Sequence, residues 1–319
     1  MTLMETRPNA SSRDALVAAI LEFFVGHDLL ALQDIRTALE REIDDAGPGA
    51  LVALRGRLAA DNGWDYYPRD PLAQRIHHLL ADRFLNDGSQ IQAAHYLDHL
   101  GDAPLTIVSN HLSYADANAI EILLQRSGGE ALANRLTALA GPKVFTSKKR
   151  RFSSLCFGTI KVPQSAEVSS EEAVLNPREV ARAARRAIDV AHTRLRAGDA
   201  LLLFGEGTRS RTARMQRMLP GVARYLEVPG TWVLPVGLAG PEALFSVSDS
   251  TLRPARIVMQ LGRPFRADAL LACAGQDRRL AMDAIGLAIA ELIPAGYRGV
   301  YENSHEFPEA GDVLRQALT

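Results

Sequence analysis

The 319-residue chain has only two cysteines, Cys156 and Cys273, far apart in sequence. Two cysteines cannot build a disulfide framework, and no C-x-x-C or Cys/His cluster offers the spacing of zinc ligands. A reducing cytoplasm is the expected setting, and no metal is expected. Net charge is also small: Lys plus Arg number 36 and Asp plus Glu 37, a formal charge of −1. That balance argues against a dedicated nucleic-acid binder while leaving room for local basic patches. Long apolar runs are missing as well. The most apolar stretches are about ten residues, against the roughly 20 that a membrane-spanning helix needs. The N-terminal stretch lacks the basic region followed by an apolar core that marks a secretory signal. Any membrane contact is therefore expected at the surface, as peripheral association at the inner membrane face. With 47% hydrophobic and 23% charged residues, the composition is that of a folded globular protein rather than a disordered or fibrous one.

What is present is organised in two parts. Residues 14–45 carry apolar side chains at helical spacing, from Leu16, Ala19 and Ile20 to Leu39 and Ile43. Gly47-Pro48-Gly49 breaks the pattern. Further helices are expected over 50–60 and 72–85, with a loop over 61–71. Residues 1–80 thus read as a small helical domain, and 81–319 as a second domain of a different pattern. There, short apolar runs at 104–109, 136–140, 157–162, 200–204, 231–238 and 256–261 read as strands, with helices between several of them. The clearest helix is 177–197, with Asn176 as N-cap, Pro177 in the first turn and Gly198 just past the end. The expected fold class is α/β: a central mixed sheet covered by helices on both faces, preceded by the N-terminal helices.

Two segments carry chemistry, and each directly follows an apolar strand, where α/β sheets place ligands and reacting groups. The first is Ser109-Asn110-His111-Leu112-Ser113-Tyr114-Ala115-Asp116. His111 and Asp116 bracket a polar turn that can bring the carboxylate onto one imidazole nitrogen and leave the other free to take a proton. The plainer reading makes Asp116 the cap of a helix over 117–126. The second is Phe204-Gly205-Glu206-Gly207-Thr208-Arg209-Ser210-Arg211. Its glycines allow close approach of backbone to ligand, Glu206 offers acceptors for polyol hydroxyls, and Arg209 and Arg211 offer fork-shaped donors for a phosphate. A basic run, Lys148-Lys149-Arg150-Arg151, is a candidate contact for coenzyme A phosphates, for an acyl-carrier-protein surface or for anionic lipid heads; a solvated loop is the plainer alternative. Arg214 and Arg217 extend the positive field of the second segment. His77, His78, His95 and His99 have no evident partners and read as structural or surface residues.

NHLSYAD at 110–116 and FGEGTRS at 204–210, with Val233-Leu234-Pro235-Val236-Gly237 further on, resemble the motifs of the glycerolipid acyltransferase superfamily, which covers glycerol-3-phosphate and lysophosphatidate acyltransferases. Order and spacing are similar across roughly residues 85–265. The layout looks closest to the soluble plastid-type glycerol-3-phosphate acyltransferases, which also pair a small helical domain with an α/β catalytic domain. Two departures stand out. Gly205 sits where the superfamily usually has proline. The strand ending Lys161-Val162-Pro163 holds Lys161 as its only cation, where the superfamily usually has an arginine and the plastid enzymes a Lys-Lys-His run.

The resemblance implies an O-acyltransferase that moves a fatty acyl group from acyl-CoA or acyl carrier protein to a hydroxyl of glycerol 3-phosphate. His111 would be the general base, and no acyl-enzyme or further cofactor would be needed. Asn110, Ser113, Lys161, Glu206, Gly207, Thr208, Arg209 and Arg211 would bind substrate, and backbone amides near Gly205–Gly207 would face the oxyanion. Alternatives are another acceptor (a lysophospholipid, or an alcohol or amine of specialised metabolism) and a non-catalytic acyl-lipid-binding module.

Overall fold

A computed structural model describes residues 10–24, 29–101, 103–163, 176–245 and 252–319. Four helices come first: α1 (Ala10–Phe24), α2 (Leu29–Ala46), α3 (Pro48–Ala59) and α4 (Pro71–Phe84). The single periodic stretch expected over 14–45 is therefore two helices, with 25–28 outside the described residues. Asp70 starts α4, its carboxylate accepting the backbone N–H of Leu72 and Ala73. The segment expected to be a loop over 61–71 also contains a two-residue strand, β1 (Tyr66–Tyr67). Tyr67 is buried, with its hydroxyl donating to Asp61 or to the Gly63 carbonyl.

The remaining strands are β2 (Gln90–Gln92), β3 (Leu105–Ser109), β4 (Leu136–Ala140), β5 (Gly158–Lys161), β6 (Ala200–Phe204), β7 (Trp232–Ala239), β8 (Val258–Leu261) and β9 (Phe265–Arg266). They form one nine-stranded sheet in the order β1-β5-β4-β6-β3-β7-β8-β2, with β9 also on β7. From β5 to β7 the strands run parallel; β1 is antiparallel to β5, β8 and β9 are antiparallel to β7, and β2 is parallel to β8. The apolar runs seen in the sequence are these strands. Their residues are buried on both faces, as parallel strands require. Pro235, in the middle of β7, falls between the stretches paired with β9 and with β8, where its missing N–H leaves no ladder bond broken.

One face of the sheet packs against α1–α4 and α5 (Asp116–Arg126) in one apolar cluster, which runs from Val17 and Leu54 through Ile76 and Ile120 to Ile107 and Leu202. The helices Pro177–Arg196, Arg278–Ala290 and Pro308–Ala317 cover the other face. The helix Pro177–Arg196 is closed by a capping box of Asn176 and Glu179. Among the described residues no helix is long and apolar enough to cross a membrane.

Candidate active site

The register of β3 on β6 aligns Ser109 with Phe204, so the turns after these two strands leave the same sheet edge side by side. Side chains and backbone then lock them together. The His111 carbonyl accepts the Ser210 N–H at 2.8 Å, and the His111 N–H donates to Glu206 Oε1 at 2.8 Å. The His111 ring stacks on Phe204, with centroids 4.1 Å apart and planes 15° apart. Asn110 is buried and clamps β7, accepting the Leu238 N–H and donating to the Leu238 carbonyl.

Asp116 stands at the first residue of α5, fully buried. Its Oδ2 accepts from His111 Nδ1 at 2.7 Å and from the N–H groups of Leu112 and Ser113. A carboxylate accepts only, so Nδ1 carries the proton and Nε2 is the basic nitrogen. His111 is 18% exposed and lines a cavity of about 960 Å³ at the C-terminal edge of the parallel strands. The plainer reading of Asp116 as the helix cap is not met: Ala115 holds the cap position and the Asp116 carboxylate takes no amide of α5, its Oδ2 holding instead both the turn before the helix and the imidazole.

The cavity reaches both faces of the sheet. On one side it is walled by Leu80, Phe84 and Ile122, and on the other by Ile188, Val222 and Tyr225. Gly207, Thr208, Arg209 and Arg211 line it, as does Arg150. Gly207 takes a φ of +72°, and a Cβ there would lie 2.3 Å from Leu219, so the turn needs glycine. Gly205 has a different reason: a Cβ would meet Met218 Sδ at 2.3 Å. The methionine occupies the volume that a proline ring at this position would need.

Several expected site residues are elsewhere. Glu206 is buried, and its two oxygens are taken by backbone amides of His111 and Gln216 at 2.8 and 2.7 Å. It braces the two turns and presents no acceptor to a polyol. Burial pushes its carboxyl up, the two amides pull it down and the Asp116 charge adds to the rise, leaving it at about 7. Ser113 is also buried, donating to the Phe245 carbonyl and accepting the Ala115 N–H. Asn110 and Ser113 therefore shape the turn without lining the cavity. Lys161 is turned away: its Nζ lies 5.0 Å from the Trp64 ring and 4.0 Å from Asp61. The Gly207 amide, one of the expected oxyanion donors, is committed to the Phe204 carbonyl.

The basic run splits three ways. Lys148 and Lys149 are exposed, Arg150 faces the cavity, and Arg151 is buried over the Tyr67 ring with Nη2 on the Arg57 carbonyl. Arg151 is thus a core residue and not a surface contact. Arg214 pairs with Glu302 and Arg217 with Asp283, which neutralises both. Sequence reasoning missed Tyr114, whose ring carries Arg209 at 3.3 Å and Arg150 at 4.1 Å. It also missed the partner of His77 and His78. This is Glu121, fully buried, with oxygens 3.2 Å and 2.9 Å from their Nε2 atoms. The signal was a lone carboxylate inside the apolar run Ala119-Ile120-Glu121-Ile122-Leu123-Leu124.

A basic imidazole nitrogen over an apolar cavity rimmed by arginines suits acyl transfer to an anionic acceptor. Residues 88–239, which span both turns, match the family model Acyltransferase. The chain carries an acyltransferase domain and is an enzyme of that class. Among solved structures, a 1-acyl-sn-glycerophosphate (LPA) acyltransferase, PlsC, from Thermotoga maritima is similar at 15% identity, covering 88% of this chain and 94% of that one with a TM-score of 0.45. No curated protein matches. Within the acyltransferase, Asn110, Ser113 and Glu206 are the frame that holds His111, Asp116 and Arg209 at one edge.

Proposed function

We propose that this acyltransferase moves a fatty acyl group from an acyl thioester, acyl-CoA or acyl carrier protein, to a hydroxyl of glycerol 3-phosphate, as a step of phospholipid synthesis. The observation that carries the reading is the His111–Asp116 pair at 2.7 Å, whose imidazole lines the same cavity as Arg209. The acceptor oxygen attacks the thioester carbonyl as its proton passes to His111 Nε2. Asp116 stabilises the imidazolium through Nδ1. The tetrahedral intermediate then expels the thiolate, which takes the proton from Nε2. One C–O bond forms, one C–S bond breaks, and no acyl-enzyme intervenes. Acid–base help of this kind contributes roughly 10²–10⁴-fold. Arg209 reads the acceptor phosphate. Its guanidinium is partly buried over the Tyr114 ring, and its Nη1 is a buried donor without a partner among the described residues. Burial also lowers its hold on its proton, with the nearby Arg150 charge adding to that effect. Lys148 and Lys149, exposed beside the site, suit a peripheral contact with an acidic carrier protein or anionic lipid heads.

A second reading, a lysophospholipid acceptor, is favoured by the extension of the cavity onto both faces of the sheet, which offers room for a second apolar chain. The test is a donor-by-acceptor screen read by product mass spectrometry, on the wild type and on His111→Ala. Glycerol 3-phosphate should be acylated with release of thiol, and His111→Ala should keep the fold and lose the reaction. Turnover above about a tenth of wild type in His111→Ala would defeat the general-base mechanism. No thiol release with any pair would leave the binding-module reading.

A further inference from the structure

The strand β5 ends in Lys161, its only cation, and Lys161 does not line the cavity. A phosphomonoester carries about −1.5 to −2 charge at neutral pH, more than one guanidinium balances. A second cation at the site is therefore required by charge alone. Arg211 also lines the cavity, but Arg150 is the cation set against Arg209 itself. It comes from the helix Lys148–Ser154, lines the same cavity as His111 and Arg209, and lies over the same Tyr114 ring as Arg209. Among the described residues its guanidinium makes one long hydrogen bond, Nη1 to the Lys143 carbonyl at 3.4 Å, which leaves most of the planar fork uncommitted. Among the described residues neither Arg150 nor Arg209 has a carboxylate within ion-pair distance, whereas Arg214, Arg217, Arg194 and Arg57 all do. Two arginines drawn to one aromatic ring without a counter-charge repel each other, and an anion between them relieves that repulsion.

We propose that Arg150 is the second cation of the acceptor-phosphate site, paired with Arg209 on the Tyr114 ring, and that it supplies the charge that Lys161, turned away at the end of β5, does not. The inference rests on the acyl-transfer reading for what the phosphate belongs to. The phosphates of coenzyme A are the other source of the same chemistry, and the assay separates them. Tyr114 sits within the His111–Asp116 turn, so the ring that sets the two guanidiniums is fixed by the same residues that fix the base. Arg150 thereby becomes a specificity residue, and the discrimination between glycerol 3-phosphate and glycerol passes through it.

The experiment uses the full chain with Arg150→Gln and Arg150→Lys, acyl-CoA and acyl-pantetheine as donors, and glycerol 3-phosphate and glycerol as acceptors. Losing one charge-assisted contact should raise the KM for glycerol 3-phosphate by roughly 10- to 100-fold with either donor. The preference for glycerol 3-phosphate over glycerol should shrink by the same factor. Arg150→Lys, which keeps the charge and loses the planar stacking, should recover part of the loss. An effect that appears in the KM of acyl-CoA and vanishes with acyl-pantetheine would assign Arg150 to the coenzyme and overturn the proposal. So would an unchanged KM for both substrates. Calorimetric binding of glycerol 3-phosphate to the wild type and to Arg150→Gln gives an arm independent of turnover. Arg150-dependent binding without acylation would sink the acyl-transfer reading and leave the phosphate seat standing. Normal acylation with Arg150-independent binding would do the reverse.

Discussion

Replacing Glu121 by glutamine should make the acyltransferase lose stability in a pH-dependent way whose sign is fixed by the structure. Glu121 is fully buried in α5 and accepts from His78 at 2.9 Å and Gln74 at 2.8 Å, with His77 at 3.2 Å. Burial works to raise its carboxyl, yet the hydrogen bonds from His77 and His78 outweigh it and hold the group at about 2, against an ordinary 4.5. The folded chain therefore binds this proton less tightly than the unfolded chain. The stabilisation is fully present above 4.5 and is lost as pH falls towards 2. At about 1.4 kcal/mol per tenfold in proton affinity, the group is worth about 3 kcal/mol at neutral pH and less than half of that at pH 3. Glutamine carries no charge, and its amide turns a donor towards groups that already donate. Urea unfolding of wild type and Glu121→Gln, followed by circular dichroism from pH 3 to pH 7, measures the gap directly. It should be about 3 kcal/mol at pH 7 and close progressively on acidification. A gap that stays constant with pH would refute the charge-based account and leave only a packing effect.

Three further outcomes are expected. Asp116→Asn should lower kcat by roughly 10²–10⁴-fold with little change in KM, because the amide no longer holds the tautomer that leaves Nε2 basic; steady-state kinetics check it. Glu206 behaves oppositely to Glu121. Its carboxyl is raised to about 7, so the folded chain keeps a proton the unfolded chain has released, and its contribution to stability falls as pH rises from 4.5 to 7. Glu206→Gln should accordingly gain about 2 kcal/mol relative to wild type between pH 5 and pH 8 in the same unfolding assay. The Cys156 thiol, fully buried and pushed well up by burial, should resist iodoacetamide in the native protein and react in urea, read by mass spectrometry of the labelled peptide.

The sheet was legible because parallel strands bury both faces and so appear as unbroken apolar runs, as in Leu201-Leu202-Leu203. The helix Pro177–Arg196 was legible from its ends, Asn176 and Pro177 at the start and Gly198 just past the finish. The tyrosines of β1 were not, since two residues cannot show an alternation. At the site, the pair His111–Asp116 could be read from spacing because five residues close one turn. The role of Glu206 could not. Its carboxylate reaches Gln216, ten residues on, and the amide of His111, ninety-five residues back, and no local pattern reports such a bond. The run Lys148–Arg151 shows the same limit in miniature. Consecutive residues on a helix point about 100° apart, so four like charges meet three different surroundings.

The glycine at 205 and the methionine at 218 amount to one decision written at two places. The sulfur sits in the space that any side chain at 205 would enter, 2.3 Å from its first carbon. In this chain a proline at the first position would require the second to shrink or swing aside, and keeping both large would open the turn that presents Arg209. Exchange at either site alone would spoil the fit, while the paired exchange Gly205→Pro with Met218→Ala preserves the filled volume. The two positions are thus expected to change together rather than singly, and a double-mutant cycle over 205 and 218 should show strong coupling where either change alone is costly.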